Sequence, residues 1–93
     1  MKKRLLAVRP KSRNYIDMYH VSVAGSFAEA ERMMRMESFD VLDLPAENET
    51  AFWKFLKGLR RGAVEICIHG VDDTEQFVKI RDEVRAMGFE FLD

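Results

Sequence analysis

Residues 39–69 read FDVLDLPAENETAFWKFLKGLRRGAVEICIH and determine the fold class. The apolar runs at 39–44 and 63–68 predict two strands. Between them, four apolar residues recur at the i, i+3, i+4 and i+7 spacing of an amphipathic helix: Phe52, Phe55, Leu56 and Leu59. Two strands joined by a helix of this length are typical of a parallel pair with a right-handed crossover.

The alternation of strand and helix patterns continues on both sides of this unit. Residues 3–8 and 20–24 predict two strands before it, and residues 89–92 predict a closing strand after it. Apolar residues at helical spacing predict one more helix on each side. The predicted order of elements is therefore β-β-α-β-α-β-α-β.

Polar residues at capping positions mark the predicted helix starts. Ser26 and Glu29 have the spacing of a capping box, in which a hydroxyl and a carboxylate each satisfy a backbone amide. Asn48 is the predicted cap of the central helix, and Asp72 with Glu75 shows the same spacing before the last one.

Glycines and basic residues indicate where the helices end. The first helix is expected to end near Glu37 and the last at Gly88. The central helix is expected to continue to Leu59 or Arg60, with Gly62 terminating it.

This order indicates an α/β fold with a three-layer, doubly wound, parallel five-stranded sheet in the order 2-1-3-4-5. Residues 9–18 contain Pro10 and show no helical stripe. We therefore expect the first crossover helix to be reduced or missing and one face of the sheet to be thinly covered there. A ferredoxin-like α+β fold is the alternative, but it leaves one strand and one helix unexplained.

Length and composition limit the classes of protein. A chain of 93 residues with 47% apolar and 33% charged residues predicts a single globular domain spanning residues 1–93. Its apolar runs are far shorter than the ~20 residues of a membrane span and do not form a signal peptide, so we expect a cytoplasmic protein. The single cysteine, Cys67, excludes an internal disulfide and is expected to be a small core residue.

Charge is distributed unevenly along the chain. Residues 1–16 contain six Lys and Arg residues and no acid, whereas residues 17–93 contain nine basic and sixteen acidic residues. The basic segment could contact phosphates of RNA or DNA, which is the weakest of three functional hypotheses. Because nucleic-acid-binding domains are usually basic overall, we expect these cations to be attracted to the acidic body instead.

The segments LLAVRP, SFAEAE, FDVLDL, TAFWKFLKGL and ICIHG together resemble the receiver domains of response regulators. The chain is most similar to the compact, cyclic-phosphate-processing receiver-like proteins, which lack the first helix. The resemblance covers nearly the whole chain. In that family a histidine closes the fourth strand, and His69 matches this position.

The resemblance also implies that most of the receiver's chemical residues are missing. Receivers hold Mg²⁺ with paired acids after the first strand, where this chain has Ala7, Val8 and then Arg9. Either Asp43 or Pro45 occupies the phosphoacceptor position, depending on the register. The Ser or Thr after the fourth strand is replaced by Gly70, and the Lys after the fifth strand has no counterpart. The resemblance therefore implies a degenerate pseudo-receiver with no cofactor and no Mg²⁺.

Ligands of doubly wound sheets bind beyond the carboxyl ends of the strands. In the predicted topology this rim contains eight candidate residues: Arg9, Gly25, Ser26, Asp43, Glu47, His69, Asp72 and Asp73. Carboxylates here could bind a hard cation, but caps and loop charges explain them more simply, so we expect no metal site.

Two main functional hypotheses follow. The first is a non-catalytic module for protein–protein interaction or self-association, including a possible homodimer, with Trp53, Phe91 and the Met-bearing helix as candidate contacts. The second is an enzyme that processes phosphate esters, with His69 transferring a proton, Arg9 stabilising charge and Asp43 as the rim carboxylate.

Overall fold

The computed structural model describes residues 2–11, 17–60 and 64–92. Its five strands are β1 (Lys3–Val8), β2 (Tyr19–Ala24), β3 (Val41–Pro45), β4 (Glu65–His69) and β5 (Glu90–Phe91). Its three helices are α1 (Phe27–Met36), α2 (Glu49–Lys57) and α3 (Thr74–Ala86).

The strands form one sheet in the order β2-β1-β3-β4-β5, and every neighbouring pair is parallel. The strand β1, first in the chain, lies inside the sheet and pairs with both β2 and β3. The predicted α/β fold class and strand order are confirmed. No helix was predicted between β1 and β2, and the described part of that connection contains none.

All three helices pack against the same face of the sheet, so the described residues form two layers instead of the predicted three. Alternate strand residues supply the sheet side of this larger core: Leu6, Val8, Leu42, Leu44 and Ile66. The helices supply Ala30, Phe52, Phe55, Leu56, Ile80 and Val84. This placement follows from handedness, because β2→β3, β3→β4 and β4→β5 all run in one direction along the sheet and each crossover is right-handed.

The opposite face of the sheet carries a smaller apolar cluster. Leu5, Ala7 and Val41 are buried at its centre. Four partly buried residues surround them: Tyr19, Val21, Cys67 and Leu92. Cys67 lies on the face opposite Ile66, as predicted, and packs against this cluster while only partly buried. Residues 12–16 of the loop predicted at 9–18 lie outside the described residues.

The caps of the first two helices are the predicted ones. The Ser26 hydroxyl accepts a hydrogen bond from the Glu29 amide at 3.1 Å, and the Asn48 side chain accepts one from the Ala51 amide at 3.3 Å. The Glu29 carboxylate bonds the amide of Gly25 at 2.7 Å rather than that of Ser26. These side chains satisfy amides that the first turn of a helix leaves unpaired.

Two predicted helix boundaries were wrong. Asp73, not Asp72, caps α3, because its carboxylate accepts hydrogen bonds from the amides of Glu75 and Gln76. The helix α2 ends at Lys57, and Gly58 is its C-cap, so it stops before Leu59. The glycine predicted to end it, Gly62, lies outside the described residues.

The strand boundaries differ from the predicted ones by one or two residues. Phe39 precedes β3 and is buried in the larger core, whereas Pro45, predicted in a loop, is the last residue of that strand. His69 likewise belongs to β4 and pairs in register with Pro45. The carboxyl ends of β3 and β4 therefore extend further toward the rim than the apolar pattern indicated.

The corrected cap can be tested by comparing the two adjacent aspartates. We expect Asp73→Ala to lower the free energy of unfolding by about 1 kcal/mol, because two helix amides lose their acceptor. Asp72→Ala is the matched control and should change it by less than about 0.5 kcal/mol. Urea denaturation measures both values, and equal losses for the two variants would contradict the assignment.

Candidate functional site

Asp43 and His69 meet at the carboxyl end of the sheet. In the β3–β4 register Asp43 lies beside Cys67 and Pro45 lies beside His69, so both side chains are on the face of the smaller cluster. His69 Nδ1 is 2.9 Å from the Asp43 carboxylate oxygen Oδ1. Its Nε2 is 3.1 Å from the backbone carbonyl oxygen of Arg9.

The two partners of the His69 ring are both hydrogen-bond acceptors, a carboxylate and a carbonyl. The ring can therefore form both bonds only when each nitrogen carries a hydrogen, which is the imidazolium form. A neutral ring keeps one bond and loses the other. In this arrangement the ring links the ends of β1, β3 and β4, and both of its nitrogens are occupied by the protein itself.

Asp43 is the only buried charged side chain among the described residues, with 6% of its surface exposed. Besides His69 it interacts with Cys67, whose thiol is its hydrogen-bonding neighbour on β4. Burial, and then the adjacent Asp43 carboxylate, raise the pKa of the Cys67 thiol well above its ordinary value. The thiol therefore stays protonated, which does not suit it to act as a nucleophile.

Arg9 takes part in the site through its backbone. Its φ of 45° lies in the left-handed region, which costs a non-glycine residue ~1 kcal/mol or more. Its amide donates to the Ala24 carbonyl at 2.9 Å, and its own carbonyl accepts from His69. These two bonds hold the strained turn at the end of β1. The predicted role of the Arg9 side chain in charge stabilisation stays a prediction.

The remaining rim candidates do not converge on this centre. Gly25 and Ser26 take part in the cap of α1, and Asp73 caps α3. Glu47 lies beside Lys11, with 3.7 Å between the carboxylate and the ammonium nitrogen. Asp72 is exposed. In the described part of the chain, no group of three His, Cys, Asp or Glu side chains could hold a metal ion.

The position after His69 requires a glycine, Gly70. Its φ is 84°, and a Cβ there would lie 2.6 Å from a carboxylate oxygen of Glu47. The adjacent carbonyl of His69 accepts a hydrogen bond from the Ala46 amide at 2.9 Å. The end of β4 thus turns tightly against the residues that follow β3, which sets the position of the His69 ring.

Cations of the basic N-terminal segment are paired with acids of the body. Lys3 is 2.9 Å from Glu65, and this carboxylate raises the pKa of the lysine. Arg4 pairs with Glu37 and lies 5.2 Å above the centre of the Phe39 ring. Arg13 lies outside the described residues. These described pairs agree with the expectation that cations of the basic segment are attracted to the acidic body of the protein.

The coupling between Asp43 and His69 can be measured by a double-mutant cycle. We expect Asp43→Asn and His69→Gln each to lower the free energy of unfolding by about 1–3 kcal/mol, because each weakens the bonding of a buried or partly buried partner. Their combined effect should be smaller than the sum of the single effects.

The Lys3–Glu65 pair is the control for this cycle, because its lysine is exposed and an exposed pair couples weakly. A coupling between Asp43 and His69 no larger than that of the control pair would contradict a buried, structural hydrogen bond.

The raised pKa of Cys67 predicts a loss of stability at alkaline pH. Above the ordinary thiol value of 9.0 the unfolded chain releases the thiol proton, whereas the folded chain retains it. The free energy of unfolding should therefore fall as pH rises above 9, by roughly 1 kcal/mol per pH unit from this group. Cys67→Ser keeps a hydroxyl beside Asp43 and does not titrate there, so its curve should be less steep. Parallel curves for the two proteins would contradict the prediction.

The chain was also compared with known proteins. No protein-family profile, curated protein or solved structure matches it. Among the described helices, none is both long and apolar enough to cross a membrane. The fold assignment accordingly rests on the strand order and the pairing described above.

Proposed function

We propose that this protein is a non-catalytic, receiver-like module that acts by binding protein, either another chain or a second copy of itself. The main support for this proposal is the set of hydrogen-bond partners around His69, the best candidate for a catalytic residue. Both ring nitrogens of His69 are bonded to the protein's own acceptors, and the Asp43 carboxylate is buried beneath them. The arrangement links three strand ends, and each ring nitrogen already lies beside an acceptor of the protein itself.

The composition of the first strand end supports the same proposal. Receivers carry Mg²⁺-binding acids there, whereas Ala7 and Val8 are completely buried and apolar in this chain. Pro45, the other candidate for the phosphoacceptor position, has no group that could accept a phosphoryl. The strand order 2-1-3-4-5 is compatible with a receiver or flavodoxin-like sheet. A receiver-like fold without the Mg²⁺-binding and phosphoacceptor residues is suited to a binding role.

The helical side of the molecule offers apolar surface for such contacts. A groove of about 440 Å³ between α2 and α3 is lined by Trp53, Lys57, Glu83, Ala86 and Met87. A second of about 300 Å³ lies between α1 and the end of α2. Met36 on α1 is 85% exposed, which is unusual for a large apolar side chain. Phe91 contributes less than expected, because it packs edge-on against Phe77 at 5.8 Å.

Phosphoester processing is the second candidate, favoured by one observation. The Asp43 carboxylate orients the His69 ring at 2.9 Å, as a carboxylate orients a general acid–base histidine. The pair also lies at the edge where doubly wound sheets bind ligands. For this activity Nε2 would have to exchange the Arg9 carbonyl for a substrate oxygen.

Hydrolysis assays on the full chain distinguish the two candidates. We expect no turnover of bis(p-nitrophenyl) phosphate or of a nucleoside 2′,3′-cyclic phosphate above that of the doubly substituted Asp43→Asn, His69→Gln protein. Turnover that either single substitution abolishes, while circular dichroism shows both variants folded, would overturn the non-catalytic proposal and establish the phosphoester enzyme.

A further inference from the structure

Among the described residues, none bonds to the backbone groups on the outer edge of β2. The sheet order places β2 at one end, with β1 as its single neighbour in the described sheet. The Arg9 amide bonds the Ala24 carbonyl, and the register pairs Val8 with Ala24, so the even-numbered residues of β2 direct their backbone groups toward β1. The odd-numbered residues, Tyr19, Val21 and Val23, direct theirs outward.

This edge lacks the features by which proteins prevent pairing between sheets. Such edges are usually short, charged or interrupted by proline. The strand β2, YHVSVA, is six residues long and contains no Lys, Arg, Asp, Glu or Pro. The opposite edge strand, β5, has only two residues, one of them Glu90. Of the two edge strands, β5 therefore has features that prevent pairing, and β2 has none of them in its own sequence.

The side chains along β2 are complementary to those of a second β2 that is related to it by a two-fold axis. In an antiparallel pair centred on Val21, that residue faces its own copy, and Tyr19 faces Val23 of the second copy. All three outward-bonding residues have their side chains on the face of the smaller apolar cluster. Val23 is 43% exposed there. On the other face His20 opposes Ser22 of the second copy, so no like charges meet.

We infer that β2 pairs antiparallel with β2 of a second copy of this chain, joining two five-stranded sheets into one of ten strands. The inference rests on the proposed function and names its partner and surface. The Val21, Tyr19 and Val23 pairs supply six backbone hydrogen bonds. Apolar contacts between Tyr19 and Val23 continue the smaller cluster across the axis.

Two substitutions test this pairing without disturbing the bonds between β2 and β1. Val21→Pro removes an amide that points outward, where an edge strand tolerates proline. Val23→Lys places a charge on an exposed position at the junction. Ser38→Lys is the control, because it adds the same charge at an exposed residue outside the surfaces named above for partner binding. Light scattering and sedimentation over a concentration series measure the mass of each protein.

The parent chain and Ser38→Lys are expected to reach twice the monomer mass of 10.9 kDa. The two β2 variants should remain folded by circular dichroism, with a dimer dissociation constant raised at least about tenfold. Amide exchange at Tyr19, Val21 and Val23 should slow with increasing concentration in the parent chain alone. A strictly monomeric parent, or a dimer that both β2 variants retain, would overturn the inference. Neither result contradicts the proposed function. Phosphoester turnover in the hydrolysis assay would contradict it.

Discussion

The right-handedness of crossover connections determines how this chain covers its sheet. Three successive connections run in the same direction from β2 to β5, so α1, α2 and α3 must share one face. The short connection from β1 to β2 runs the other way and leaves the second face to a smaller set of apolar side chains. The asymmetry between a thick helical side and a thin opposite side follows from this one constraint.

Asp43 lies on the thin side, and its position explains the character of the site. The residue belongs to a strand that is buried along its whole length, so its charge needs partners supplied by neighbouring strands. His69 supplies one from β4, and the Cys67 thiol supplies another. The His69 ring in turn reaches the strained backbone of Arg9. A polar network of this kind holds strand ends in place, and it does so with the same residues that a catalytic site would need exposed.

Most of the fold could be predicted because it depends on periodicity, which is local in sequence. The errors occurred where neighbouring residues were equally suitable: Asp72 and Asp73 can both cap a helix, and Gly58 and Gly62 can both end one. Tertiary packing chooses between such residues. The prediction that Asp43 and His69 share a rim followed from topology, but their direct contact depends on the β3–β4 register across 26 positions. Nothing in the residue type of Arg9 indicates a positive φ, so the role of its carbonyl could not be anticipated.

The interior position of β1 has a consequence for how the chain folds during synthesis. Of the five strands, β1 is synthesised first, and it cannot complete its pairing until Val41, on β3, has been made. Residues 3–45 then contain three adjacent strands and the helix that crosses between two of them, enough for a nucleus of long-range contacts. The later strands add outward in chain order, β4 and then β5, each onto an edge that already exists. The strand order therefore allows the sheet to be completed from β1 toward the β5 edge, in the same direction as translation.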